Sequence, residues 1–130
     1  IMIKKKPFLG ICVGMQMLAI DSEENGKHKG LGWIDGHIKK LPNNNLKMPH
    51  MGWSGVKPII NNNLIKNIDD YYFVHSYYFK CSKKENILAE SQYGINFTSI
   101  VAKENIYGVQ FHPEKSSSQG LNLIKNFIYN

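Results

Sequence analysis

The sequence predicts one α/β unit, a mixed sheet flanked by helices, over residues 1–130. Three observations carry this. The stretch Gly10-Ile11-Cys12-Val13-Gly14-Met15-Gln16 joins an apolar run to a helical pattern through a cysteine with glycine two residues away on either side. Short aromatic and β-branched runs, parted by polar turns, recur through the middle of the chain. An amphipathic segment preceded by serines closes it. A chain of 130 residues is long enough for one small core, and no internal repeat or linker divides it.

Taken in order, Phe8 to Cys12 reads as a buried strand and Val13 to about Asp21 as a helix with Met15, Leu18 and Ala19 inward. Asn25 to Gly32, rich in glycine and lysine, reads as loop. Trp33 to Leu41 is expected as a strand broken near Asp35-Gly36. A strand from Val56 to Ile60 lies between polar loops at Asn43-Asn44-Asn45 and Asn61-Asn62-Asn63. Tyr71 to Phe79, aromatic and β-branched throughout, is the strongest strand signal. Ile87 to Ser91, Phe97 to Lys103 and Ile106 to Phe111 complete the strands, the last two as a hairpin turning at Glu104-Asn105. Residues 118–128 form a closing helix with Leu121, Ile124, Phe127 and Ile128 on one face, capped by the serine run.

All sixteen basic residues are lysine, and the net charge is +6. A nucleic-acid surface needs basic residues clustered with aromatics or arginine on one face. Here the lysines are scattered apart from Lys4-Lys5-Lys6, and asparagine and isoleucine are also in excess. The charge therefore reads as compositional bias, with no nucleic-acid partner expected. Cys12 sits in the glycine motif, and Cys81 lies beside Lys80, Ser82, Lys83 and Lys84 in an expected loop. Two such cysteines make no disulfide framework and point to free thiols in the cytoplasm. No run reaches transmembrane length and residues 1–20 lack a cleavage pattern, so no membrane association is expected. Metal, nucleotide and flavin motifs are not visible, so no cofactor is expected. His50 and His75 match no zinc spacing and read as ordinary hydrogen-bonded histidines, while His28 and His37 carry no signal.

The chemistry concentrates at Cys12. A nucleophile on a sharp strand-to-helix turn needs neighbours without side chains, so that the backbone packs closely and the sulfur is presented. A helix starting at Val13 would aim its N-terminus at the sulfur and favour thiolate. Downstream stands Phe111-His112-Pro113-Glu114. On an extended segment residues 112 and 114 share a side, and Pro113 stiffens the link. His112 is then a candidate proton shuttle for Cys12 and Glu114 a candidate carboxylate to orient its ring. The main-chain N–H of Val13, next after the nucleophile, is placed as an oxyanion donor. Gln16, one helical turn past Cys12, faces the same way.

G-x-C-x-G-x-Q followed by F-H-P-E resembles the class I, triad-type glutamine amidotransferases. The segments LKMPHMGWS at 46–54, YFVHSYY at 72–78 and GVQFHPEKS at 108–116 resemble, within that class, the glutaminase subunits of imidazole glycerol phosphate synthase. The resemblance implies a flavodoxin-like fold and hydrolysis of glutamine to glutamate and ammonia. The ammonia would pass to a (β/α)8-barrel synthase subunit in histidine biosynthesis. By the same resemblance, Cys12, His112 and Glu114 form the triad. Gln16 contacts substrate glutamine, the backbone around Ser76 and Tyr77 binds its amino-acid end, and Trp53, Tyr72 and Lys115 face the synthase partner.

Two alternatives stay open. The acceptor could be a nucleotide-sugar or surface-polysaccharide precursor, since the 72–116 resemblance is compatible with either. The chain could also act only as a docking module, although intact Cys12, His112 and Glu114 argue against a decayed enzyme. A stand-alone cysteine protease fits less well, because Gln16 and the HPEKS context point to a small amide substrate. Members of the resembling family carry an N-terminal third ahead of the nucleophile strand, with the first sheet strands and a glycine-rich loop that gives the second oxyanion donor. The expectation is therefore an N-terminally incomplete domain, the C-terminal two-thirds of the family's, with a nucleophile strand short of neighbours.

Overall fold

The computed structural model describes residues 5–43 and 45–129. Lys4 of the lysine triplet and Asn44 of the first asparagine run lie outside the described residues. In chain order the elements are β1 (Phe8–Ile11), the single helical turn α1 (Val13–Gln16), β2 (Asp21–Ser22), β3 (His28–Lys29), β4 (Gly36–Lys40) and β5 (His50–Pro58). Then come β6 (Asp69–His75), β7 (Tyr77–Cys81), β8 (Ile87–Gln92), β9 (Asn96–Lys103), β10 (Ile106–Val109) and α2 (Ser117–Tyr129). The strands join one mixed sheet in the order β3-β2-β4-β7-β9-β8-β5-β6, with β10 bridging β9 and β1. The β1/β10 and β2/β4 pairs are parallel and the other pairs antiparallel.

Strand β9 is the hub. One edge carries β8, and the other is shared between β7, at Phe79–Thr98, and β10, along Ile100 to Lys103. Between Thr98 and Ile100 the register to β8 advances by only one residue, from Glu90 to Ala89, so Ser99 is the extra residue of a bulge. The bulge turns Phe97 and Ile100 to the same face, in a core with Phe73, Val109, Phe111 and Leu123. Val101 points to the other face, among Met15, Leu18, Ile34, Ile38 and Phe79. The sheet therefore has two cores, one of which backs directly onto the turn after Cys12.

Several elements differ from their sequence expectation, each for a tertiary reason. The helix after Cys12 is one turn long, because Leu31 and Ile34 donate to the Met17 and Leu18 carbonyls and Ile20 donates to Gly36. Met15, Leu18 and Ala19 are nonetheless fully buried, as expected. Strand β1 is only half-buried except at Gly10: among the described residues it pairs on one edge alone. The 25–32 loop contains β3, which folds back on β2 through Asn25 and Gly26, both at positive φ. Strand β5 begins six residues before the expected Val56, at His50, because it pairs with β6 from His50–His75 to Val56–Asp69. Two glycines hid that signal. The Tyr71–Phe79 run is two strands broken at Ser76, where β6 pairs with β5 and β7 switches to β4. Cys81 ends β7 rather than lying in a loop, and both cysteines are free.

The closing helix is rotated relative to its expected face. Leu123 is buried and Ile124 and Phe127 are partly buried, but Leu121 and Ile128 are 60% and 63% exposed. Gly120 sets this rotation: a Cβ there would stand 1.9 Å from the Pro113 carbonyl oxygen. The glycine lets α2 seat directly on the Pro113–Lys115 turn, and the inward row runs 120, 123, 127. No helix among the described residues is long and apolar enough to cross a membrane.

Candidate active site

Parallel pairing of β1 with β10, Gly10 opposite Gly108 and Ile11 opposite Val109, brings their carboxyl ends side by side. Cys12 continues the ladder, its N–H bonding the Val109 carbonyl at 2.8 Å. In an open α/β sheet the crevice beyond such strand ends is where ligands bind. Cys12 turns there with φ 55° and ψ −105°, a conformation that costs a side-chain residue about 1–3 kcal/mol and persists only where packing enforces it. The packing is at Gly10. A Cβ at Gly10 would lie 2.5 Å from the Gly14 carbonyl oxygen and 2.8 Å from the Met15 nitrogen, both backbone atoms that cannot swing aside. Gly14 differs: nothing described lies within 4 Å of its Cβ position, so only the first of the two expected glycines is sterically required. Gly10→Ala is accordingly expected to destabilise this chain by about 2–3 kcal/mol in urea unfolding, and Gly14→Ala by less than about 0.5.

The sulfur is held by weak contacts: Sγ lies 3.8 Å from the Val74 carbonyl oxygen and 3.8 Å from the Gln110 side-chain nitrogen. Burial pushes the thiol pKa up, against the opposing pull of the Val13 main-chain amide and the Gln110 amide; the Glu114 charge adds to the rise. The expected helix-dipole thiolate is thus overruled. One helical turn supplies little dipole, and removing the anion from water costs more. Nucleophilic attack from this cysteine needs a base to take its proton.

His112 and Glu114 form an oriented imidazole–carboxylate pair. Nδ1 of His112 lies 2.8 Å from Oε2 of Glu114. An ionised carboxylate only accepts, so Nδ1 carries the proton and Nε2 is left as the acceptor. Their turn is pinned to β6: His112 N–H donates to the Tyr72 carbonyl at 2.9 Å, and Tyr72 N–H donates to Ser116 Oγ at 2.9 Å. Ser116 Oγ in turn donates to the His112 carbonyl at 2.6 Å. No hydrogen bond joins His112 to Cys12 among the described residues. Their segments leave the carboxyl ends of the adjacent strands β1 and β10.

Gln16 and Tyr77 also meet here. Nε2 of Gln16 donates to the Tyr77 carbonyl at 3.1 Å and to Oε1 of Gln110 at 3.2 Å. The Ser76 carbonyl accepts the Leu41 N–H at 2.9 Å. The Gln16 amide nitrogen is therefore spent inside the protein, leaving its oxygen for a ligand. Beside it opens a cleft of about 370 Å³ lined by Val13, Gln16, Met17, Ser22, Glu24 and His28 among others. Trp53 faces Tyr72 across β5 and β6, ring centroids 5.9 Å apart, and is half exposed, so it is not a core residue. Lys115 is exposed on the turn bonded to Tyr72. Trp53, Tyr72 and Lys115 thus share one side of the site.

Sequence reasoning missed Gln110, Ser116 and Glu24. The first two stand inside GVQFHPEKS but read as spacers, and both are fully buried. Glu24 lay between the expected helix and the expected 25–32 loop, with no local signal. His50 and His75 are hydrogen-bonded histidines, as expected, and their partners include each other: Nδ1 of His50 is 2.9 Å from Nε2 of His75. Burial pulls both rings from the usual 6.5 down to about 4, with His50 reinforcing the effect on His75 and the Tyr77 carbonyl opposing it. The unfolded chain therefore binds more protons between those values. Their contribution is complete above pH 6.5 and is lost as the pH falls toward 4. Urea unfolding should show the chain losing on the order of 3 kcal/mol from this pair between pH 7 and pH 4. The double variant His50→Phe/His75→Phe should flatten that slope. Among the described residues no group of three His, Cys, Asp or Glu is placed to hold a metal ion.

A free cysteine on a strained turn and an oriented His–Glu pair, following two adjacent parallel strands, are the parts an acyl-transfer site uses. Residues 1–130 match the family described as glutamine amidotransferase class-I, and the chain belongs to that family. Within it, the chain is 47% identical over 130 residues to imidazole glycerol phosphate synthase subunit HisH of Bdellovibrio bacteriovorus, covering 95% of this chain and 63% of that protein. It is 52% identical over 129 residues to subunit HisH 2 of Methanococcus maripaludis, covering 96% and 63%. The solved structure of a glutamine amidotransferase from Thermotoga maritima shares the fold, with TM-score 0.65 and 20% identity over 96% of this chain and 48% of that one. The chain thus spans under two thirds of the length of the curated relatives it matches.

Proposed function

We propose that this chain is the nucleophile-bearing part of a glutaminase subunit of imidazole glycerol phosphate synthase. The carrying observation is the strained Cys12 turn together with the oriented His112–Glu114 pair, in the segments that follow adjacent strands β1 and β10, in a chain about half identical to such subunits. His112 Nε2 takes the Cys12 proton and the sulfur attacks the side-chain amide carbon of glutamine. The Val13 N–H donates to the oxyanion, and the His112 proton goes to the departing ammonia. Water activated by the same imidazole then cleaves the γ-glutamyl thioester to glutamate. Glu114 keeps the proton on Nδ1 throughout and offsets the imidazolium charge.

The protonated resting thiol supports this division of labour, because the base acts in the attacking step. The Gln16 oxygen and the Glu24 carboxylate, both at the cleft, fit the α-ammonium of a bound glutamine. The Ser76–Tyr77 backbone would meet its amino-acid end through atoms other than the Tyr77 carbonyl, which already accepts twice. Trp53, Tyr72 and Lys115 form the side that docks a (β/α)8-barrel synthase subunit, which receives the ammonia. Two free cysteines suit a cytoplasmic setting. The test is glutamate release from glutamine by the longest natural gene product that carries this chain, with and without the barrel subunit. Release that rises with the partner is expected; none under either condition would sink the reading.

A further inference from the structure

We propose that His50 and His75 form a one-way hydrogen-bond relay that positions the Tyr77 main chain, and with it Gln16, against Cys12. This rests on the glutaminase reading for its kinetic consequence but not for its geometry. His75 Nδ1 lies 2.8 Å from the Tyr77 carbonyl oxygen, which can only accept, so Nδ1 holds the proton and Nε2 is bare. The facing Nδ1 of His50, 2.9 Å away, must then be the donor. That leaves Nε2 of His50 to accept from the Ser54 hydroxyl at 2.8 Å. Every group in the chain has one permitted role, and protons point from Ser54 toward Tyr77.

The end of the relay is the site. The Tyr77 carbonyl also accepts the Gln16 amide, which bonds Gln110, whose own amide reaches the Cys12 sulfur. The start is Ser54, next to half-exposed Trp53 on β5. Both imidazoles are sealed from water, His50 at 2% and His75 at 5% exposure, with Phe73 and Tyr93 stacked on His50 and Phe97 packed at an angle to both rings. Two buried imidazoles kept there are explained by what they hold in place. His75 is on this argument a positioning residue: it touches no reacting atom and acts through Tyr77 and Gln16.

The first measurement is the ¹⁵N spectrum of histidine-labelled full-length protein at pH 7.5. Both rings are expected neutral with the proton on Nδ1, the reverse of the tautomer free histidine favours. A proton on Nε2 of either ring overturns the relay, and this reading stands even if the protein releases no glutamate. The second is His75→Phe, for which KM for glutamine should rise about tenfold while kcat changes less than about threefold. Its melting temperature should fall, since the buried Nδ1–H of His50 loses its acceptor, so the KM-against-kcat split is the deciding readout. Unchanged kinetics with a lower melting temperature would make the pair a packing element and overturn the proposal.

Discussion

Cys12→Ser is expected to lower glutamine hydrolysis by on the order of 10⁴–10⁶-fold, because the whole covalent route runs through that sulfur. A serine hydroxyl sits far above the thiol in pKa, and a base suited to deprotonating a thiol near neutrality cannot activate it equally. The turn itself should survive, since its shape comes from Gly10 packing on Gly14 and from the bond between Cys12 N–H and the Val109 carbonyl, neither of which involves the sulfur. Binding of the proposed synthase partner and the melting temperature should therefore stay near wild type. A γ-glutamyl adduct mapped by mass spectrometry after acid quench to a residue other than position 12 would show that another group is the nucleophile.

Gly120→Ala is the substitution expected to damage this fold most. Its new methyl would meet the Pro113 carbonyl oxygen at 1.9 Å and its carbon at 2.8 Å, both main-chain atoms. Neither can rotate away, so α2 must lift from the turn that carries His112 and Glu114. Leu123, 1% exposed in the larger core, would lift with it. The cost should be at least about 3 kcal/mol, read as a lower urea midpoint. The damage should extend to catalysis, because the same movement strains the Ser116 bonds that fix His112 to Tyr72. A near-native midpoint would mean that α2 seats differently.

The two substitutions also separate what was legible in the chain from what was not. Cys12, His112 and Glu114 stood out as candidates from residue types and spacing, and the Cys12 turn and the His112–Glu114 contact are present. The contact arises differently from the expectation: Pro113–Lys115 is a 3-10 turn rather than extended chain, and the turn itself curls Glu114 back to His112. The strand signals held because aromatic and β-branched runs suit a pleated, half-buried surface. The face of α2 was misread, because its periodicity offered Leu121 and Ile128 but Gly120 decided the rotation by contact with a turn outside the helix. Gln110 and Ser116 stood in a recognised motif, yet their partners, Gln16 and Tyr72, come from other strands.

By itself, then, the sequence determined the α/β class, the glycine-flanked turn at Cys12, the pairing of His112 with Glu114, and most strand positions. All of these follow from short-range backbone and side-chain preferences. Tertiary structure decided the rest. It set the parallel β1/β10 ladder that aligns Cys12 with the His112 segment, and the burial that keeps the thiol protonated despite the helical turn. It broke the Tyr71–Phe79 run at Ser76 and put His50 opposite His75 across β5 and β6. Those outcomes depend on which distant segment lies alongside, and desolvation and hydrogen-bond pairing are properties of that neighbour as much as of the residue.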